Sequence, residues 1–337
     1  MNMKLAPVFC DGVVLQKNKP LYVFGSGEGK AKVEFLGNEF SGTSFDDKWE
    51  VCLGKYDSGG PYEIKITLID NNGEQVITLN DVYVGTVLLI AGQSNVQWTI
   101  SNAQDEGLNY EIESNPLIRT FVTSRLEKHN KIDAKDGWVV LNKNTSSSFS
   151  ALGLHLAEHL QKARGEAVGF VGCWQGGSII QTWLPREICY RADLYTSAEV
   201  MYKDSPELYY DWNKPSLCYE YQFKTLCPFA FDSVVWYQGC SNAGNGTSGI
   251  YGKLLLELIT RWRYDLRQNL HFTVVEIANC DFGADDWGII QKAQTDAPNY
   301  IDGVTTVESK DISESYTIHP VDKRPLAQRI FDEVYNK

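Results

Sequence analysis

The sequence predicts an α/β protein: a parallel sheet with helices on both faces, preceded by a small N-terminal β-sandwich of jelly-roll or immunoglobulin-like type. Three observations predict it. Residues 1–81 read as short strands separated by turn signals, with no helical pattern. From Val87-Leu88-Leu89-Ile90-Ala91 onward the strands are continuously apolar, as strands covered on both faces must be. Helical periodicities then fall between the strands, and that alternation implies parallel pairing. With 337 residues the chain suits two domains of unequal size, at a prior of roughly 150 residues per domain. They are expected at 1–81 and 82–337.

Taken in order, Leu21-Tyr22-Val23-Phe24 and Lys32-Val33-Glu34-Phe35-Leu36 are strands, with Gly25-Ser26-Gly27 and Ser41-Gly42-Thr43 as turns. Tyr62-Glu63-Ile64-Lys65-Ile66-Thr67-Leu68 alternates apolar and polar, the mark of a half-buried strand. Asp70-Asn71-Asn72-Gly73 then leads into Gln75-Val76-Ile77-Thr78-Leu79, which signals a hairpin. Buried strands are predicted at 87–91, 167–171, 233–236, 272–277 and 303–307. A helix is predicted over 149–164, where Leu152, Leu156 and Leu160 repeat at spacing four after three serines. Tyr251, Leu254, Leu255, Leu258, Ile259 and Trp262 fit one face of a second helix. Leu326, Ile330, Phe331 and Val334 suggest a closing helix. The Tyr-rich stretch 184–228 has little periodicity and reads as an excursion over the domain.

Composition excludes several functions. Formal charge is 31 − 43 = −12 and pI about 5.0, the wrong sign for gripping nucleic-acid phosphates or an anionic membrane. Mean hydropathy is −0.28, with no apolar run long enough to cross a bilayer. The N-terminus lacks the apolar core of a signal peptide. The eight cysteines contain no CxxC pair and several lie in apolar runs such as 49–53, so reduced, buried thiols and a cytoplasmic location are expected. His155-Leu156-Ala157-Glu158-His159 fits the H-x-x-E-H zinc spacing, but its helix has leucines to bury and no further ligand pattern follows. Neither metal nor cofactor is expected. His129 and His271 read as surface or strand-start residues.

Chemistry is expected beyond the carboxyl ends of the strands, where open parallel sheets bind ligands. There the chain places Gly92-Gln93-Ser94-Asn95, then Trp174-Gln175-Gly176-Gly177-Ser178, then Tyr237-Gln238-Gly239-Cys240-Ser241-Asn242, and last Ile318-His319-Pro320. A hydroxyl on a sharp turn, a base, and N–H donors are what ester hydrolysis by a serine requires.

These blocks, with Trp183, Lys323, Arg329 and the N-terminal Val14-Leu15-Gln16, Gly60-Pro61-Tyr62 and Asp81-Val82-x-Val84-Gly85, resemble those of the sialate O-acetylesterase family of SGNH (GDSL-like) hydrolases. The resemblance implies an SGNH-type, flavodoxin-like sheet and hydrolysis of acetyl esters on sugars, above all O-acetylated sialic acid, through an acetyl-Ser94 intermediate. It implies Ser94 as nucleophile and His319 as general base. The oxyanion hole would be the Ser94 and Gly176 N–H groups with an amide from the third block, Gln238 or its competitor Asn242. The family's usual Asp before the histidine is replaced by Tyr316 and Thr317. The orienting group is therefore Asp311, Glu314, or a backbone carbonyl in a Ser–His dyad. Cys240 stands where the family usually has Glu. Acetylated xylan or mannan oligosaccharides are the alternative substrates, and a non-catalytic sugar-binding relative is the rival class. Trp98, Trp174, Trp183 and Trp287 are candidates to stand near the pocket.

Overall fold

Short strands open the chain in the computed structural model, which describes residues 3–126, 132–133, 137–197, 210–281, 283–312 and 314–336. β1 (Lys4–Leu5), β3 (Leu21–Ser26) and β6 (Lys48–Gly54) form a three-stranded antiparallel sheet. β5 (Asn38–Thr43), β4 (Lys30–Phe35) and β7 (Gly59–Asp70) pair in that order, and β7 turns through Asn71-Asn72 into β8 (Gly73–Gly92). This is the predicted hairpin, with Asp70 opposite Gly73.

β8 carries two environments on one strand. Its first half pairs antiparallel with β7 and is largely exposed; its second half is buried throughout and pairs in parallel with both neighbours. The parallel part is completed by β9 (Asn115–Val122), β13 (Val168–Trp174), β14 (Ser233–Tyr237), β15 (His271–Val275) and β16 (Val304–Val307). β10 (Arg125–Leu126) and β11 (Ile132–Asp133) make a separate ladder, and β12 (Val139–Leu141) joins the edge antiparallel to β9. Spatial order is β12-β9-β13-β8-β14-β15-β16. The expectation of a purely parallel sheet is thus corrected. β2 (Val14–Gln16) adds to β8 in parallel at Tyr83–Gly85. Among the described residues the large sheet is mixed and has eleven strands, because β12 and the β7–β8 arm are antiparallel and β8 runs through without a break.

The predicted buried strands and helices lie where their patterns place them. The helix Ala151–Arg164 starts one turn after the three serines, which form a short 3-10 turn; Ser150 caps it by accepting from the Gly153 N–H. In the helix Ser248–Leu266 the six residues of the predicted stripe are all fully buried. Trp262 from that stripe stacks on Phe223 at 4.0 Å and meets Trp183 and Trp236 edge-on. The closing helix is Arg324–Ile330.

β9 was not legible because Arg119 interrupts its apolar run. That guanidinium is nevertheless buried: it donates to the carbonyls of Gly12, Pro116 and Asp81 at 2.9–3.1 Å and pairs with the Asp81 carboxylate at 2.9 Å. Cys52 was expected inside; it faces outward, since Trp49, Val51 and Leu53 alternate with it on β6. All eight thiols are unpaired. His155 Nδ1 is taken by Glu158 at 3.0 Å, and the His159 ring stacks on Phe331. His271 opens β15, while His129 lies outside the described residues. Among the described residues no helix is long and apolar enough to cross a membrane.

Arg119 ties the first strands to the parallel sheet, and Arg119→Met, which leaves the Gly12, Pro116 and Asp81 carbonyls without this donor, is expected to lower stability by about 1–3 kcal/mol in equilibrium urea unfolding. Asp81→Asn, at a half-exposed position, should cost far less.

Candidate active site

The carboxyl ends of β8, β13 and β14 lie side by side, with Trp174 and Tyr237 both opposite Gly92. Gly92 has φ +138, and a Cβ there would collide with the Tyr237 carbonyl oxygen. Only glycine lets β8 turn sharply between its neighbours. The turn delivers Ser94 to the start of the short helix Ser94–Gln97. From the far side, the loop after β16 brings His319. Its Nε2 lies 2.7 Å from Ser94 Oγ, although the two residues are 225 positions apart.

His319 is held on three sides. Its backbone N–H donates to Thr317 Oγ1 at 3.0 Å, its ring stacks on Trp98 at 5.1 Å, and Asn95 Nδ2 donates to the preceding carbonyl of Ile318 at 2.8 Å. Burial, and secondarily the Lys323 ammonium, push its pKa down to about 4. At neutral pH the imidazole is therefore uncharged and able to accept the Ser94 proton.

The other expected site residues divide. Asp311 is not with His319: Arg329 grips both its oxygens, at 2.7 and 2.8 Å, and holds its pKa low. Among the described residues no carboxylate hydrogen-bonds the imidazole. Glu314 is placed on the Val321 N–H instead. Gln238 does not face the pocket either. It is fully buried, and its Nε2 donates to Ser178 O and Asn242 Oδ1 at 2.9 and 2.8 Å. Asn242 is also buried, donating to Gln181 Oε1 and Thr247 Oγ1. The N–H groups of both amides are engaged in pinning loops together, and Gln238 Oε1 is buried without a partner, so neither side chain is placed to meet an oxyanion at Ser94, contrary to the expectation.

Gly176 does stand beside Ser94: a Cβ built on it would be 3.8 Å from Ser94 Cβ. Its N–H is taken by Gln97 Oε1 at 3.0 Å. An amide carbonyl thus occupies the donor that an acyl oxygen would need. Gln97 escaped the sequence reading, although its position three residues after Ser94 puts it on the same helix face. Gln93 was also missed as a fastener; its Oε1 accepts from the Gly239 N–H at 3.0 Å and joins the first loop to the third.

The cleft over Ser94 and His319 has a volume of about 740 Å³ and is walled by Tyr210, Cys240 and Trp287 among others. Of the four candidate tryptophans, Trp287 lines it and Trp98 backs the imidazole, whereas Trp174 and Trp183 are core. A second depression of about 510 Å³ shares the Gly176-Gly177 and Tyr210 rim and contains Arg125, Gln97 and Trp212. A nucleophile, a neutral base and backbone donors at one cleft can carry out acyl transfer.

The family model described as carbohydrate esterase, sialic acid-specific acetylesterase, matches residues 84–323. The chain is 26% identical to the sialate O-acetylesterases of Pongo abelii and Homo sapiens over 229 and 230 residues, covering 64% of this chain and 42% of each relative. It therefore spans less than half the length of those curated relatives. A carbohydrate acetylesterase from Xanthomonas citri superposes with a TM-score of 0.79 at 24% identity, over 100% of this chain and 76% of that one. A protein from Arabidopsis thaliana superposes with a TM-score of 0.50 at 18% identity, over 74% and 96% of the two chains. Both likenesses show the fold.

Two outcomes are expected from labelling Ser94 with a fluorophosphonate. The rate should hold through weakly acidic pH and fall only as pH drops toward 4, where His319 becomes protonated and can no longer accept the serine proton. Gln97→Ala should label about 2- to 10-fold faster, the equivalent of one neutral hydrogen bond released from the Gly176 N–H.

Proposed function

The chain belongs to the sialic acid-specific acetylesterase family of carbohydrate esterases, and from that premise we propose that it is a serine carboxylic ester hydrolase that removes acetyl groups from sugar hydroxyls. The observation that carries the proposal is the 2.7 Å contact between Ser94 Oγ and His319 Nε2. Ser94 Oγ attacks the acetyl carbonyl carbon while His319 Nε2 takes its proton. The tetrahedral oxyanion is met by the Ser94 N–H and by the Gly176 N–H once Gln97 has been displaced. The intermediate collapses to acetyl-Ser94, and His319 returns the proton to the departing sugar oxygen. Water, deprotonated by the same imidazole, then attacks the acetyl carbon and releases acetate and free Ser94. The base works as half of a Ser–His dyad, oriented by Thr317, Trp98 and Asn95 in place of a carboxylate.

O-acetylated sialic acid is the first substrate reading, and its carboxylate needs a cation. Arg125, in the depression adjoining the cleft, is the residue assigned to it. A specific observation favours a second reading: among the described residues that line the cleft there is no Lys or Arg. Neutral acetylated oligosaccharides, such as xylan or mannan fragments, need none. The apolar ring faces of Tyr210 and Trp287 suit the C–H faces of either kind of sugar. Residues 1–81 are assigned as a β-sandwich that braces residues 82–337, with the join at Asp81, where Arg119 grips the chain.

Ser94→Ala should lower acetate release from 4-nitrophenyl acetate about 10³-fold or more; retention of the parent rate overturns the serine mechanism, and sugar binding without turnover in the parent favours the non-catalytic class. On a panel of acetylated sugars, Arg125→Ala should raise KM for O-acetylated sialic acid about tenfold or more if Arg125 meets the carboxylate. Unchanged kinetics on neutral oligosaccharides, with no turnover of the sialate, selects the second reading.

A further inference from the structure

Outside the reacting atoms, the least expected group at the site is Lys323. It is 1% exposed, and among the described residues it forms no ion pair with a carboxylate. Its Nζ donates to Asn95 Oδ1 at 2.7 Å and lies 5.7 Å from the centre of the Tyr237 ring. An ammonium buried in this way costs more than an apolar side chain of the same length would. Burial accordingly pulls its pKa down to about 7.

We propose that Lys323 is a positioning residue that fixes His319 against Ser94 by orienting the Asn95 amide. The role rests on the serine reading above. Asn95 follows the nucleophile directly and is itself 1% exposed. Its Nδ2 donates to the Ile318 carbonyl at 2.8 Å, and its Oδ1 receives Lys323 at 2.7 Å. One amide therefore grips the base loop on both flanks of His319, at 318 and at 323. The two ends of that amide are chemically different. An ammonium can only donate, and a backbone carbonyl can only accept. A reversed amide would set N–H against N–H and oxygen against oxygen. Lys323 thereby dictates that Nδ2 points at Ile318, and the imidazole inherits its position from that bond.

The ammonium also acts on the imidazole through space, favouring the uncharged ring. The titratable groups that bear on Lys323 are Cys240 from the loop after β14, Glu314 and His319 from its own loop, and Tyr237 from the end of β14. The Cys240 thiol is pushed up to about 12 by burial, so at the pH of the acid limb it is uncharged, and the Lys323 ammonium is the charge that bears on the imidazole there.

The test compares the parent with Lys323→Met, Asn95→Asp and the double variant, measuring kcat, KM and the pH profile of kcat/KM, with melting temperature as the control for folding. Lys323→Met should lose about 10- to 100-fold in kcat with KM little changed, the scale of a misplaced catalytic group. Its acid limb should move to higher pH, because the charge that opposes imidazole protonation is gone. A merely structural loss would lower the rate at every pH and leave the limb in place. Asn95→Asp keeps a partner for the ammonium but has no N–H for Ile318, so it should lose kcat similarly and tests the grip whether or not the lysine variant folds. The double variant should be no worse than the poorer single one. Parent-like kcat and acid limb in Lys323→Met, or additive losses in the double, overturn the role of Lys323 alone. Absence of both acetate release and Ser94 labelling in the parent overturns the serine reading, and this role with it.

Discussion

Everything at the site depends on how β8 ends. A fully buried strand between two parallel neighbours has no room to leave the sheet gradually. Gly92 turns it in one step against the Tyr237 carbonyl, and the next residues must find partners for their polar groups in a space shared with the ends of β13 and β14. Buried amides provide them. Gln93 joins the first loop to the third, Gln238 and Asn242 join the third to the second, and Asn213 takes the Gly177 carbonyl and the Ile179 N–H. Such a network cross-links the loops and holds them rigid, although Gln238 Oε1 is left without a partner. That rigidity lets a hydroxyl and an imidazole from opposite ends of the domain sit at hydrogen-bond distance.

The same constraint bears on the imidazole, which no carboxylate among the described residues meets. Asp311 could serve only if its loop folded back, and Arg329 on the closing helix holds it away with a two-pronged ion pair. Orientation falls instead to neutral groups. Thr317 takes the His319 backbone N–H, the Trp98 ring covers one face, and Asn95 secures Ile318. Buried, with no carboxylate hydrogen-bonded to it among the described residues and an ammonium nearby, the ring stays neutral well below the usual histidine range. The arrangement favours a base that is always ready over one whose protonated form is strongly stabilised.

Gln97 adds a second consequence of close packing. The cradle that the Ser94 turn and Gly176 form is already occupied by a carbonyl oxygen of the chain's own. In the proposed reaction a bound acyl oxygen exchanges places with it, and the Gln97 side chain gives way.

What the sequence determined by itself follows from periodicity and from short-range chemistry. The two-fold alternation of 62–68, the apolar runs at 87–91 and 233–236, and the helical stripe from Tyr251 to Trp262 all report burial directly, because burial is what those patterns encode. Ser94 was legible as a residue on a glycine-bearing turn after a buried strand, which announces itself locally, whereas His319 was picked out by the resemblance of the Ile318-His319-Pro320 block. Tertiary structure decided the rest. Whether an amide in a loop faces a cleft or a neighbouring loop depends on groups far away in the chain. So Gln238 and Asn242 turned inward, Gln97 and Asn95 turned toward the site, and a lone charge, Arg119, sat in a strand that its sequence disguised. No local pattern carries the partner of a buried polar group, since that partner is chosen only when distant segments meet and each must be paired.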